Sequence, residues 1–155
     1  MKFIKLSQGK FTKVDDEDFN WLNQWKWCAL KSRNTFYAVR WDLGNIIYMH
    51  RLILNTPCNQ QVDHDDFDGL NNQKYNIRNC TKSQNLSNKI PRGKSKYLGV
   101  SEVLVLNKYK YFKARITFNN TQILIGTYKN EVDAAYAYDK KAKEYHGEFA
   151  NLNFK

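Results

Sequence analysis

The segment from Val62 to Asn85, VDHDDFDGLNNQKYNIRNCTKSQN, concentrates Asp, Asn and one His far beyond what a surface loop needs. Asp63 and His64 are adjacent in it. A neutral imidazole near its free pKa takes a proton from water at physiological pH. A divalent ion polarises a phosphate and stabilises a leaving oxygen. Magnesium prefers oxygen ligands and keeps several waters, so one carboxylate and one amide oxygen suffice from the protein. A second asparagine amide can hold the imidazole in the useful tautomer. These are the parts that phosphodiester hydrolysis needs. The competing reading is a polar loop whose Asn and Asp only make turns. A calcium loop of the EF-hand type would need flanking helices and a Glu twelve positions along, and the sequence offers neither.

These residues need elements to position them. With Val62 and His64 on a strand, Asp63 points to the opposite face. Asp65 to Gly69 and Asn71-Asn72 form a turn-rich loop, and Asn76-Ile77-Arg78 resumes an extended strand. Thr81 is placed to cap a helix running through Gln84, Asn85 and Leu86. The order is strand, loop, strand, helix, with His64 on the first strand, Asn76 near the second and Asn85 on the helix.

Val62-Asp63-His64, Asp66, Gly69, Asn71-Asn72, Asn76-Ile77-Arg78, Thr81 and Asn85, preceded by His50-Arg51-Leu52, resemble the HNH nuclease family. The likeness is to the variant common among phage-borne and intron-borne homing endonucleases, whose fold is the ββα-metal module, or His-Me finger. The resemblance implies His64 as general base, Asp63 and Asn85 as metal ligands, and Asn76 as the residue that orients His64. The implied cofactor is Mg2+, with Mn2+ as a substitute, and no zinc is expected. Asn85 stands where many relatives carry histidine, so this is a His-Asn-Asn version, a type with one divalent ion that often nicks one strand. Arg78 is left with two roles, touching phosphate or pairing with an Asp of the loop. His50 is read as structural.

The stretch from Tyr97 reads as three strands and a helix. Phe112, Ala114, Ile116 and Phe118 alternate with Lys113, Arg115 and Thr117, so one face is apolar and the other cationic. A third strand runs from Thr121 to Tyr128. Asn130 can cap a helix carrying Val132, Ala135, Tyr138, Ala142 and Tyr145 on one side, ended by His146-Gly147. Tyr97-x-Gly99-Val100, Ala114-x-Ile116, Ile125-Gly126-Thr127-Tyr128 and Glu131-x-x-Ala134-Ala135-x-Ala137-Tyr138-Asp139 resemble the ethylene-response-factor, or Apetala-two, type of DNA-binding domain. Leu98, Ser101 and Leu124 depart from its pattern, so its base-reading residues do not transfer intact. Lys113, Arg115 and Thr117 remain on the expected reading face.

Across the 155 residues, 25 Lys and Arg stand against 15 Asp and Glu, a net charge of +10 that attracts polyanions. Lys82, Lys89, Arg92, Lys94 and Lys96 lie in a stretch without acid, suited to tracking a phosphate backbone. No apolar run reaches the roughly 18–20 residues of a membrane span, and Met1 to Lys10 carries no signal core. These features point to a cytoplasmic, nucleoid-associated protein, and the resemblance implies a phage-encoded one in a bacterial host. Cys28, Cys58 and Cys80 are read as small buried thiols, and Trp21, Trp25 and Trp27 as core. The fold class is α+β: a ββα-metal nuclease module plus a three-stranded antiparallel sheet packed on one helix. The division is residues 1–49 as a β-rich extension, 50–90 as the nuclease core, 91–96 as a basic linker and 97–155 as the DNA-binding domain. The function expected is metal-dependent cutting of double-stranded DNA, by nicking or double-strand cleavage, from a monomer or weak homodimer with no membrane partner. The alternative is a sequence-specific regulator whose HNH region is inactive.

Overall fold

The computed structural model of the chain describes residues 1–87, 94–106, 108–119 and 121–154. It is a mixed α/β protein built from small antiparallel sheets, in two compact units, Met1–Asn85 and Leu86–Lys155. Among the described residues no helix is long and apolar enough to cross a membrane. Lys89 and Arg92 lie outside the described residues.

The first unit opens on a hairpin, β1 (Lys2–Lys5) paired with β2 (Phe11–Val14). Alternation sends Ile4, Thr12 and Val14 inward and leaves Phe3 and Phe11 in solvent. Helix α1 (Asp16–Leu22) carries Asp16, Glu17 and Asp18 in its first turn, where the macrodipole favours acids. Strands β3 (Cys28–Ser32), β4 (Thr35–Asp42) and β5 (Asn45–Tyr48) make a meander, and α2 (Met49–Ile53) follows. Ile4, Leu6, Val14, Leu22, Trp27 and Met49 form the core, with Trp21 and Trp25 packed on its margin. Trp21, Trp25 and Trp27 meet edge to face in sequence, the arrangement that ring quadrupoles favour.

The chain then forms a second hairpin, β6 (Gln61–His64) with β7 (Ile77–Cys80), and helix α3 (Lys82–Ser87). Thr81 and Gln84 start α3 reciprocally. The Gln84 N–H donates to Thr81 Oγ1 at 3.3 Å and the Thr81 N–H donates to Gln84 Oε1 at 2.8 Å, a capping box.

In the second unit β9 (Tyr109–Phe118) is central, flanked by β8 (Val100–Val105) and β10 (Thr121–Tyr128). Helix α4 (Glu131–His146) starts at Asn130, whose side chain accepts from the Val132 N–H. It buries Ala134, Ala135, Tyr138 and Ala142 against Leu98, Val100, Ala114 and Ile116. Gly99 has φ +74, and a Cβ there would lie 2.1 Å from the Tyr138 ring, so the turn into β8 requires glycine. Asp139, on the same helix, is buried. Its carboxylate accepts from the backbone N–H groups of Asn153 and Phe154 and from Asn153 Nδ2, tying the C-terminal segment to α4.

The cysteine expectation needs correction. Cys80 is buried, but Cys28 and Cys58 are exposed, because Cys28 is the first residue of β3 and Cys58 lies in the turn between α2 and β6.

Candidate active site

Strand β6 separates its polar residues by face. Asp63 stands opposite Arg78 of β7, and His64 stands opposite Ile77. Asp63 and His64 are 3% and 7% exposed, a burial that polar groups tolerate only when partnered. Arg78 Nε and Nη2 donate to Asp63 Oδ2 at 3.0 and 2.8 Å, and Nη2 lies 3.7 Å from Asp65 Oδ1. Of the two roles open to Arg78, the structure therefore shows pairing with carboxylates.

The loop between β6 and β7 is built by its own side chains. Asp66 Oδ1 accepts from the Asp68 N–H and from Asn76 Nδ2, and Oδ2 accepts from Asn71 Nδ2. Asp68 Oδ1 accepts from the Leu70 N–H. Burial alone would raise the pKa of Asp66, but the bonds from Asn71, Asp68 and Asn76 outweigh it and hold the carboxyl below its usual value. A Cβ on Gly69 would sit 2.5 Å from the Phe36 carbonyl oxygen, so only glycine lets this loop approach β4.

Asn76 belongs to this loop. Its Nδ2 donates to Asp66 Oδ1 and to the Asn71 carbonyl, and its Oδ1 accepts from the Asp66 N–H. The amide beside the imidazole is that of Asn72, whose Oδ1 lies 3.3 Å from His64 Nε2. Sequence reasoning gave the orienting role to Asn76 and had no role for Asn72. The Asn71-Asn72 pair was the available signal. Asn72 is fully buried and its Nδ2 donates to Thr12 Oγ1 on β2 at 2.8 Å. The backbone supports that contact: the Lys13 N–H donates to the Leu70 carbonyl and the Asn72 N–H to the Lys13 carbonyl. Asp15 adds bonds from Gln73 Nε2 and the Lys74 N–H. The N-terminal hairpin thus holds the 70–74 segment in place.

His64 also sits in a ring cluster. His50 meets it edge to face at 5.2 Å, and Tyr37 lies 5.8 Å away. Burial is the largest influence on His64 and pushes its pKa down. The Asn72 contact and the charges of Asp66, Asp63 and Asp68 oppose it without reversing it. The imidazole is thus neutral at neutral pH and able to accept a proton. His50 is pushed down to about 3, by burial first and then by His64 and Arg51. Its Nδ1 is buried and has no hydrogen-bond partner among the described residues.

Asn85 projects from α3 to β6, where its Nδ2 donates to Gln61 Oε1 at 2.8 Å. Gln61 precedes Asp63 by two positions and shares its strand face. That bond ties α3 to the strand that carries Asp63. Among the described residues no three His, Cys, Asp or Glu side chains gather where they could hold an ion. A carboxylate plus an amide oxygen is the donor set of a hard divalent ion that keeps part of its water shell, so these residues fit magnesium chemistry. A cleft of about 240 Å3 beside Asn85 is lined by Tyr37, Tyr48, His50, Arg51, Gln61 and Val62.

The cationic residues are spread over both units. Lys82 is exposed at the start of α3, and Lys94 and Lys96 are exposed in the second unit. On β9, Ala114 and Ile116 are buried under α4, while Lys113, Arg115 and Thr117 occupy the other face. Ser101, Thr127 and Gln122 are their cross-strand neighbours, and Leu124, opposite Arg115, is 56% exposed.

Fold and site together describe a mixed α/β protein with a polar hairpin-and-helix centre. No protein-family model matches the chain. The chain is 33% identical over 159 residues to an uncharacterized HNH endonuclease of Acanthamoeba polyphaga mimivirus, across 97% of this chain and 80% of that protein. The chain belongs to the HNH endonuclease family. It is also 34% identical over 119 residues to an AP2-like ethylene-responsive transcription factor of Arabidopsis thaliana, across 76% of this chain and 33% of that protein.

Proposed function

We propose that this chain is a metal-dependent endonuclease that hydrolyses phosphodiester bonds in double-stranded DNA. The observation that carries the reading is the arrangement around β6. A buried neutral His64 and a buried Asp63 are adjacent on opposite strand faces, and Asn85 hydrogen-bonds Gln61, two positions before Asp63 on the same strand.

His64 takes a proton from water as the water oxygen bonds to phosphorus, and the phosphorus bond to the leaving oxygen breaks. Asp63 and Asn85 hold a divalent ion, Mg2+ or in its place Mn2+. When bound, that ion polarises the phosphate and stabilises the leaving oxygen. Asn76 acts one step back, by fixing the loop that follows His64. Arg78 holds the Asp63 carboxylate, and Asn72 meets the imidazole. In this reading the first unit is a ββα-metal module of the homing type. Lys82, Lys89, Arg92, Lys94 and Lys96, in the stretch of sequence without acid, contact the phosphate backbone. The second unit is an Apetala-two type domain that lays Lys113, Arg115 and Thr117 on DNA, which supplies affinity and position.

A second reading draws on the likeness to a transcription factor: a DNA-binding regulator whose HNH region is inactive. Conversion of supercoiled plasmid, with and without Mg2+, separates the two. The nuclease reading expects Mg2+-dependent relaxed or linear product from the wild type, and none from His64→Ala at equal DNA binding. Tight binding with intact plasmid in every case favours the regulator.

A further inference from the structure

We propose that Thr12 and Asn72 fix the tautomer of His64, holding the ring proton on Nε2 and so assigning Nδ1 as the nitrogen that receives the proton from water. The second half of the proposal rests on the nuclease reading; the first half stands on the hydrogen-bond network alone.

The argument is one of hydrogen-bond direction. Thr12 Oγ1 lies 2.7 Å from the Leu70 carbonyl oxygen, which can only accept, so the hydroxyl proton points there. The oxygen is left with lone pairs for Asn72, whose amide nitrogen lies 2.8 Å away. Met49 Sδ, 3.7 Å from the same nitrogen, also can only accept. Two acceptors therefore face one end of the Asn72 amide, and that end is the NH2. The other end is Oδ1, and it faces His64 Nε2 at 3.3 Å. An amide oxygen has no proton to give, so the contact is a hydrogen bond only if Nε2 carries one. A neutral imidazole has one protonated nitrogen and one lone pair, and the lone pair then falls to Nδ1.

Burial makes the direction binding. Thr12, Asn72 and Met49 are 0% exposed and His64 is 7% exposed. A reversed amide would set its oxygen lone pair to lone pair against Thr12 Oγ1 and Met49 Sδ, with solvent excluded from the amide. The backbone bonds between Lys13, Leu70 and Asn72 keep Thr12 beside the amide. The N-terminal hairpin thereby gains a chemical role: it positions the base through a hydroxyl 60 residues before Asn72. Thr12 and Asn72 are positioning residues, since in this network neither is the proton acceptor.

The test reads the ring directly. In the 15N spectrum of the histidine side chains, recorded on the full chain at neutral pH without DNA or metal, His64 should show a protonated-type Nε2 and a lone-pair-type Nδ1. Thr12→Val keeps the shape and removes the acceptor. It should mix or reverse the tautomer and lower kcat for nicking by about 10- to 100-fold with KM unchanged. Thr12→Ser should restore both. A wild-type proton on Nδ1, or a Thr12→Val ring spectrum identical to wild type, overturns the proposal. Should Thr12→Val fail to fold, the wild-type spectrum and Thr12→Ser still decide it. A wild type that cuts no DNA removes the nuclease reading, while the ring spectrum still decides the tautomer.

Discussion

Arg78 and Asp63 face each other across the β6–β7 hairpin, with arginine Nε and Nη2 at 3.0 and 2.8 Å from a single carboxylate oxygen. The carboxylate is almost fully buried, so the guanidinium compensates a charge that water cannot reach. Arg78→Ala removes that compensation. It should lower the unfolding free energy by roughly 3 kcal/mol, the usual cost of stranding a buried charge. Urea titration measures this, and a loss within error of zero would show that Asp63 does not depend on Arg78.

The oxygen pair of Asp63 and Asn85 gives a prediction independent of cutting. Mg2+ should raise the thermal midpoint of the wild type, by about 2.7 kcal/mol in stability at a hundredfold excess over its Kd. Asp63→Asn and Asn85→Ala should each abolish the rise, and Lys82→Ala should keep it. An equal rise in all four proteins would place the ion elsewhere.

His50 predicts how stability follows pH. Its folded pKa lies near 3, against 6.5 for the free side chain. Between those values the unfolded chain binds a proton that the folded chain refuses, so stability falls as pH drops below 6.5. This group alone should cost about 2 kcal/mol on going from pH 7.5 to 5. His50→Phe should flatten that part of the curve. Denaturation at both pH values checks it, and parallel losses in wild type and variant would contradict it. The lowered pKa of His64 has a kinetic counterpart: the acid limb of cleavage should fall below pH 6.5.

Gly99→Ala should destabilise the second unit. The new methyl would meet the Tyr138 ring and the Arg115 carbonyl at a backbone with φ +74. Overpacking alone costs about 1–3 kcal/mol, and positive φ adds to it. Calorimetry should show a lower transition for this unit, and an unchanged trace would contradict the tight approach.

The face of β9 makes a prediction about salt. Lys113→Ala and Arg115→Ala should each weaken DNA binding on all sequences and reduce the slope of log K against log salt by about one. An unchanged slope would remove these residues from the interface.

Local signals carried much of the fold. Period-two alternation marked β9, and Thr81 marked the start of α3. The Asn130 cap and the Gly147 stop likewise bracket α4. What stayed hidden depends on distant partners. Asn72 draws its meaning from Thr12, 60 residues away, and His50 from its place against His64. No periodicity reports such contacts. Asn76 was tied to the imidazole by position in a motif, and only the packed loop shows which atoms its amide meets. The partners of the Asp139 carboxylate arrive later in the chain, at Asn153 and Phe154, so the helical pattern does not report its burial.

The central claim is that His64 removes a proton from water during strand cleavage. It is tested most directly by single-turnover cutting of DNA already bound to protein in Mg2+, wild type against His64→Ala at matched occupancy. Loss of this base should slow cutting by about 10²- to 10⁴-fold with binding preserved. Equal rates for the two proteins would contradict the account.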